Sequence, residues 1–159
     1  MPKMIAVDAP KCTGCRICMM VCALKLEGVV NPTMSRIQVF QHEHAFLEVP
    51  VVCQQCESPP CGAVCPVNAI SWDENLGRTV VDQDLCVGCK MCVVVCPFGA
   101  MGFDKTAHKV INCDLCDGDP ECVKFCDTKA IVYTEAPSVS LKKGRASSDK
   151  VAEQVRQLG

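Results

Sequence analysis

Aromatic residues are scarce in this chain of 159 residues, which carries one Trp, one Tyr and five Phe. That leaves little ring surface for a large side-chain core. No long apolar run is present either. The least polar stretch, Met91 to Phe103, is broken by Pro97, Gly99 and Gly102, and it falls short of the roughly 20 residues that cross a bilayer. The N-terminal segment, Met1 to Asp8, lacks the apolar h-region and small-residue cleavage site of a signal peptide, so a reducing, cytoplasmic setting is expected. Charge of one sign is missing as well: the formal net charge is −2 and the basic residues form no long stripe, which argues against nucleic acid as a partner. The three histidines have no acid–base partner nearby in sequence, and no catalytic residue is assigned.

Cysteine is what the chain has in abundance: sixteen, all in four runs. Run III, Cys86-Val-Gly-Cys89-Lys-Met-Cys92-Val-Val-Val-Cys96-Pro97, is the complete bacterial iron–sulfur spacing C-x2-C-x2-C-x3-C-P. Run I (Cys12, Cys15, Cys18, Cys22) repeats its spacing with Ala23 in place of proline. Run II (Cys53, Cys56, Cys61, Cys65) has a longer second gap stiffened by Pro59 and Pro60, and run IV (Cys113, Cys116, Cys122, Cys126) a longer one still. At this density the choice lies between a secreted disulfide scaffold and an intracellular metal protein. Zinc favours paired C-x2-C knuckles but has no use for the third and fourth cysteines of each run. Disulfides inside C-x2-C turns are mainly catalytic, and eight of them would be out of place in a reducing compartment. Four cubane clusters account for all sixteen thiols, so the metal ligands are expected to be those sixteen cysteines. Inorganic cores would then stand in for the missing aromatic packing, and the apoprotein is expected to fold poorly. Four such sites would bring the net charge to about −10, a carrier suited to partners with basic docking faces.

Between the runs, the chain reads as short strands and helices. A strand over Lys3 to Val7 feeds run I, and a helix from Cys18 to Leu26 ends at Gly28. That helix sets Cys18 and Cys22 one turn apart, so Cys22 is free to reach a neighbouring site. Ser35 to Phe40 and Ala45 to Val52 read as two strands joined around His42 and His44, with a solvated hairpin tip preferred over a metal pair. Ala69 to Asp73 with Arg78 to Asp82, and Ala100 to Asp104 with Lys109 to Asn112, read as two further hairpins. Counting from the last cysteine of runs II, III and IV, Ala69, Ala100 and Ala130 fall four residues on and Trp72, Phe103 and Tyr133 seven on. The alanines would let a strand pass close to a cluster, and the aromatics would pack over it. Together with the alternating run spacings this is an internal duplication. The tail, Ala136 to Gly159, has no cysteine. It suggests a last helix capped by Ser147 or Ser148, with Val151, Val155 and Leu158 as a narrow apolar stripe.

Runs II and III resemble one bacterial two-cluster ferredoxin, and runs I and IV a second built around it. That nesting resembles the four-cluster electron-transfer subunits of molybdenum, tungsten and hydrogenase-type oxidoreductases, and the compact length is similar to the small iron–sulfur subunits of tungsten aldehyde oxidoreductases. The resemblance implies an α+β fold of two nested ferredoxin-like modules over residues 1–135, followed by the tail at 136–159. The inner module comes from the runs at 53–65 and 86–96, the outer from those at 12–22 and 113–126. It also implies the ligand sets: Cys12, Cys15, Cys18 and Cys126; Cys22, Cys113, Cys116 and Cys122; Cys53, Cys56, Cys61 and Cys96; and Cys65, Cys86, Cys89 and Cys92. Each set would hold a [4Fe-4S] cluster. The implied function is relay of single electrons between a catalytic molybdenum- or tungsten-cofactor subunit, an aldehyde oxidoreductase being favoured, and a flavin subunit or ferredoxin. A freely diffusing polyferredoxin is the competing reading, and iron storage a third. A row of clusters open at both ends would also allow head-to-tail self-assembly.

Overall fold

The computed structural model describes residues 3–43 and 46–135. The tail, with its expected helix, and His44 lie outside these residues, while His42 is exposed at the hairpin tip. Short helices alternate with two-stranded antiparallel sheets, and the cysteine runs form the corners between them. Among the described residues no helix is long and apolar enough to cross a membrane.

Strand β1 (Lys3–Val7) leads through a short 3-10 turn into run I, and α1 (Ile17–Glu27) carries that run's last two cysteines. The helix ends where expected. Gly28 takes the left-handed conformation (φ 72°) that few other residues adopt, and its N–H returns to the Leu24 carbonyl. Strands β2 (Ile37–His42) and β3 (Leu47–Val52) form the first hairpin, which delivers Cys53 directly after its last residue. Helix α2 (Pro60–Ala63) follows with Pro60 in its first turn, a position where the missing N–H costs nothing. Strands β4 (Ile70–Asp73) and β5 (Arg78–Val81) then form the second hairpin, α3 (Met91–Val95) carries run III, and β6 (Gly102–Asp104) and β7 (Lys109–Ile111) form the third. Helix α4 (Glu121–Lys124) carries Cys122, and β8 (Ile131–Glu135) closes the described chain.

The pairing of β8 with β1 joins the two ends of this unit. It has the same layout as the β4–β5 hairpin. Val7 pairs with Ile131, five residues before Cys12 and five after Cys126; Val81 pairs with Ile70, five before Cys86 and five after Cys65. Beyond each pair one further hydrogen bond forms at 2.7 Å, from Asp8 N–H to the Ala130 carbonyl and from Asp82 N–H to the Ala69 carbonyl. The β8–β1 sheet is therefore the β4–β5 hairpin with its connection opened. Run I thereby comes to lie against run IV.

Thiols are part of the core. Ile5, Ile37, Val52, Leu115 and Ile131 are at most 1 % exposed and pack with Cys22, Cys53, Cys113 and Cys122; a second cluster joins Met101 and Val110 to Cys61 and Cys92, and Cys96 touches both. A buried polar brace ties the inner hairpin to run IV. Gln55 donates to the Cys113 carbonyl and accepts from Thr79 N–H, each at 2.8 Å, and Asn112 donates to the Thr79 carbonyl at 2.8 Å. Arg78, on the same strand, donates to the Asp114 carbonyl and pairs with Asp73 and Asp117.

Candidate metal centres

The sixteen thiols are all free, and they surround four cavities. Cys12, Cys15, Cys18 and Cys126 line one, with Val39, Pro50 and Ile131 behind them. Cys22, Cys113, Cys116 and Cys122 line the next, against Ile5, Leu26 and Val52. Cys53, Cys56, Cys61 and Cys96 line a third, and Cys65, Cys86, Cys89 and Cys92 a fourth beside Ala69, Ile70 and Val110. Each thus draws three cysteines from one run and one from another, and no thiol is left over. With open solvent included, the four voids enclose about 280 to 340 Å³ each, so they are alike in size as well as in lining.

Local backbone geometry explains why the thiols point inward. In each C-x2-C turn the residue before the second cysteine has positive φ: Gly14 (71°), Gln55 (49°), Gly88 (67°) and Leu115 (57°). Successive residues of alternating hand turn their N–H groups toward one concavity, a nest that favours anionic sulfur. Glycine is required at position 88, since a Cβ there would lie 2.2 Å from the His108 carbonyl oxygen. Arg16 and Lys90, also left-handed, then start α1 and α3. Three residues past the last cysteine, Asn68, Gly99 and Lys129 repeat the left-handed turn. In run II this turn lets Ala69 N–H donate to Cys65 Sγ at 3.2 Å.

Electrostatics reveal which cavities adjoin. Burial pushes the Cys18 and Cys53 thiols up to about 11, and neighbouring thiols add to the shift, Cys15, Cys12 and Cys126 on Cys18 and Cys61, Cys56 and Cys96 on Cys53. Burial likewise raises Cys113 well above its ordinary value, with further contributions from Cys122, Cys53 and Cys22. Cys122 is raised by burial, then by Cys22 and Cys116 of its own cavity and Cys18 of the next. Cys92, raised by burial, feels Cys89 and, across to the third cavity, Cys61. The cavities therefore follow one another in the order in which they were introduced. Cys126 goes the other way: burial opposes ionisation, but N–H groups of Ile131, Ala130 and Lys129 and the Thr128 hydroxyl outweigh it and lower its pKa.

Four thiols facing an apolar void, with N–H donors beside them, suit a polynuclear centre whose charge is shared over several sulfurs. Among the described residues no group of three or more His, Cys, Asp or Glu side chains is placed to hold a single metal ion. The residues present fit an iron–sulfur cubane. Residues 44–136 match the 4Fe-4S dicluster domain. The chain belongs to that family. Among curated relatives, the polyferredoxin-like subunit of an aliphatic sulfonate oxidoreductase from Pyrococcus furiosus is 41 % identical, over 77 % of this chain and 70 % of that one. The electron transport protein HydN of Escherichia coli is 36 % identical over 85 % of this chain and 89 % of its own. The beta subunit of the NADH-dependent phenylglyoxylate dehydrogenase of Aromatoleum evansii is also 36 % identical, over 85 % of this chain but only 31 % of that subunit. Of solved structures, a chain of the BamBC active site complex of benzoyl coenzyme A reductase aligns with a TM-score of 0.50 at 26 % identity, covering 97 % of this chain and 96 % of the other. As a 4Fe-4S dicluster protein the chain is a ferredoxin-like iron–sulfur domain of short hairpins and few helices.

Some site features differ from the sequence reading or lay outside it. None of the three repeated aromatics lines a thiol cavity. At about 3.3 Å per residue, position seven lies two residues beyond the strand start that touches the void, such as Ile70, and so overshoots it. Phe103 packs at the rim of the Cys86 and Cys92 cluster, beneath the Lys90 ammonium at 4.2 Å. The alanines fare better: Ala69 and Ala130 line cavities, and Ala100 is buried in the core. Gln55 and Arg36 are functional candidates that nothing in the spacing of the sequence marks.

Proposed function

We propose that this chain is an electron-transfer subunit that holds four [4Fe-4S] clusters, one in each thiol cavity, in the order Cys12, Cys22, Cys53 and Cys65 sets. The observation that carries the reading is the partition of sixteen free thiols into four like cavities with none unused. When bound, such clusters accept and release one electron at a time, at potentials set by charge, hydrogen bonds and exposure. The chain's own residues do the rest. The nests hold anionic sulfur, the apolar linings exclude water, and α1 and α3 each join two neighbouring cavities through one turn of helix. The opened hairpin β8–β1 makes the outer module a second ferredoxin around the inner one, with residues 1–135 as one four-cluster domain and 136–159 as its tail.

The function supported best is relay between a catalytic oxidoreductase subunit and a redox partner, without a catalytic role of its own. Relatives named as subunits of oxidoreductases support this, as does the arm from Glu27 to Val52, which a free carrier does not need. A molybdenum or tungsten enzyme, with an aldehyde oxidoreductase favoured, is the proposed catalytic partner; a flavin subunit or ferredoxin is the proposed outlet, and the cytoplasm the proposed setting. Size-exclusion chromatography of an anaerobic native extract tests it. Co-elution with a much larger, cofactor-bearing protein is expected, and elution of all the protein as a free 17 kDa species would refute the subunit reading in favour of a diffusing polyferredoxin.

A further inference from the structure

Two arginines line the thiol cavities, and they differ in burial. Arg16, at the cavity of Cys12, is exposed; the Arg36 side chain, at the cavity of Cys22, Cys113, Cys116 and Cys122, is only 13 % exposed. The other two cavities have no charged lining residue besides cysteine. A largely covered guanidinium is costly unless it is held by partners, and here they are specific. Its Nη2 pairs with Glu27 Oε1 at 2.5 Å and its Nη1 donates to the Met34 carbonyl at 2.7 Å. Its backbone N–H donates to Cys22 Sγ at 3.4 Å. The 3-10 turn over Pro32–Met34 folds the chain back so that Arg36 meets Glu27 at the end of α1. The cavity's other charged lining residue, Asp114, is engaged by Cys116 N–H.

We infer that Arg36 and Glu27 form a potential-setting pair for the second site in the row, Arg36 raising its midpoint and Glu27 restraining it. This rests on the reading of that cavity as a cluster site. Taking up one electron makes the site one unit more negative, with no bond made or broken. A fixed cation beside it therefore favours the reduced form, and a fixed anion the oxidised form. The two residues act through charge on the same site, so removing them must have opposite effects. A purely structural clasp between α1 and the following turn would behave differently, since breaking either end loosens the same contact.

The test is an anaerobic potentiometric titration followed by EPR on the cluster-loaded full chain, with dithionite as reductant. The variants are Arg36→Met, Arg36→Lys and Glu27→Gln, each first assayed for iron and sulfide. Arg36→Met is expected to lower the midpoint of one cluster among four, an about tenfold fall in its reduced-to-oxidised ratio at fixed ambient potential. Glu27→Gln is expected to raise the midpoint of that same cluster, and Arg36→Lys to restore it to within about threefold of the native ratio. Shifts of one sign in both charge-removing variants, a uniform shift of all four clusters, or no shift at full iron content overturns the inference. If Arg36→Met fails to take up iron, Glu27→Gln decides alone, and anything but an upward shift overturns it. A native chain that binds no cluster defeats the underlying reading instead.

Discussion

Replacing Gln55 by methionine should loosen the junction between the β4–β5 hairpin and run IV. Gln55 is 7 % exposed and sits between Cys53 and Cys56, yet its side chain serves residues of other elements: it donates to the Cys113 carbonyl and accepts from Thr79 N–H. Thr79 is 1 % exposed and Cys113 7 %, so water has no ready route to replace either bond. Methionine keeps the length and removes both polar ends. Each orphaned buried group costs about 1–3 kcal/mol, for a total of about 2–6 kcal/mol. At 1.4 kcal/mol per tenfold, even the low end is an about 30-fold change. Loss of bound clusters makes unfolding irreversible, so the fitting assay is a rate: decay of visible absorbance of the loaded protein in fixed guanidinium under anaerobic conditions. Hydrogen exchange at the Thr79 amide gives an independent readout, because that N–H loses its Gln55 acceptor. Unchanged decay together with unchanged Thr79 protection would refute the claim that this brace couples the hairpin to run IV.

Other substitutions and conditions probe the remaining claims. Gly88→Ala should be far more damaging than Gly28→Ala, although both have φ near 70°: the latter has open space around its Cβ and should cost about 1–2 kcal/mol, the former drives into the His108 carbonyl. Thermal midpoints of the two variants check this, and equal losses would contradict it. Serine substitutions test the crossing of ligands through iron content. Cys53→Ser and Cys96→Ser should each lose about four irons, their double variant the same four, and a Cys86→Ser, Cys96→Ser double variant about eight.

The run spacings made much of this molecule legible, because a C-x2-C-x2-C-x3-C segment can fold in few ways and its strands are bounded by turn residues. The hairpins at Ile70–Val81 and Gly102–Ile111, and α1 with its Gly28 stop, appear within a residue or two of expectation. Pairing of β1 with β8 was harder to see, since its strands stand at opposite ends of the described chain. The equal offsets from Val7 to Cys12 and from Val81 to Cys86 were nevertheless present in the sequence. Gln55 and Arg36 could not be read in this way. A single polar side chain has no period, and its importance comes from burial against partners such as Cys113, 58 residues from Gln55, and Glu27, nine residues from Arg36. The aromatic positions were legible in part for a related reason: Phe103 and Tyr133 pack against the thiol-bearing cores without lining a cavity, since a recurring offset marks equivalent places in a repeat and says nothing of which way the ring turns.

The central claim is that all sixteen thiols serve four clusters, and iron and acid-labile sulfide analysis of anaerobically isolated protein tests it most directly. About sixteen iron and sixteen sulfide per chain are expected. About eight of each, or bound zinc without sulfide, would contradict it.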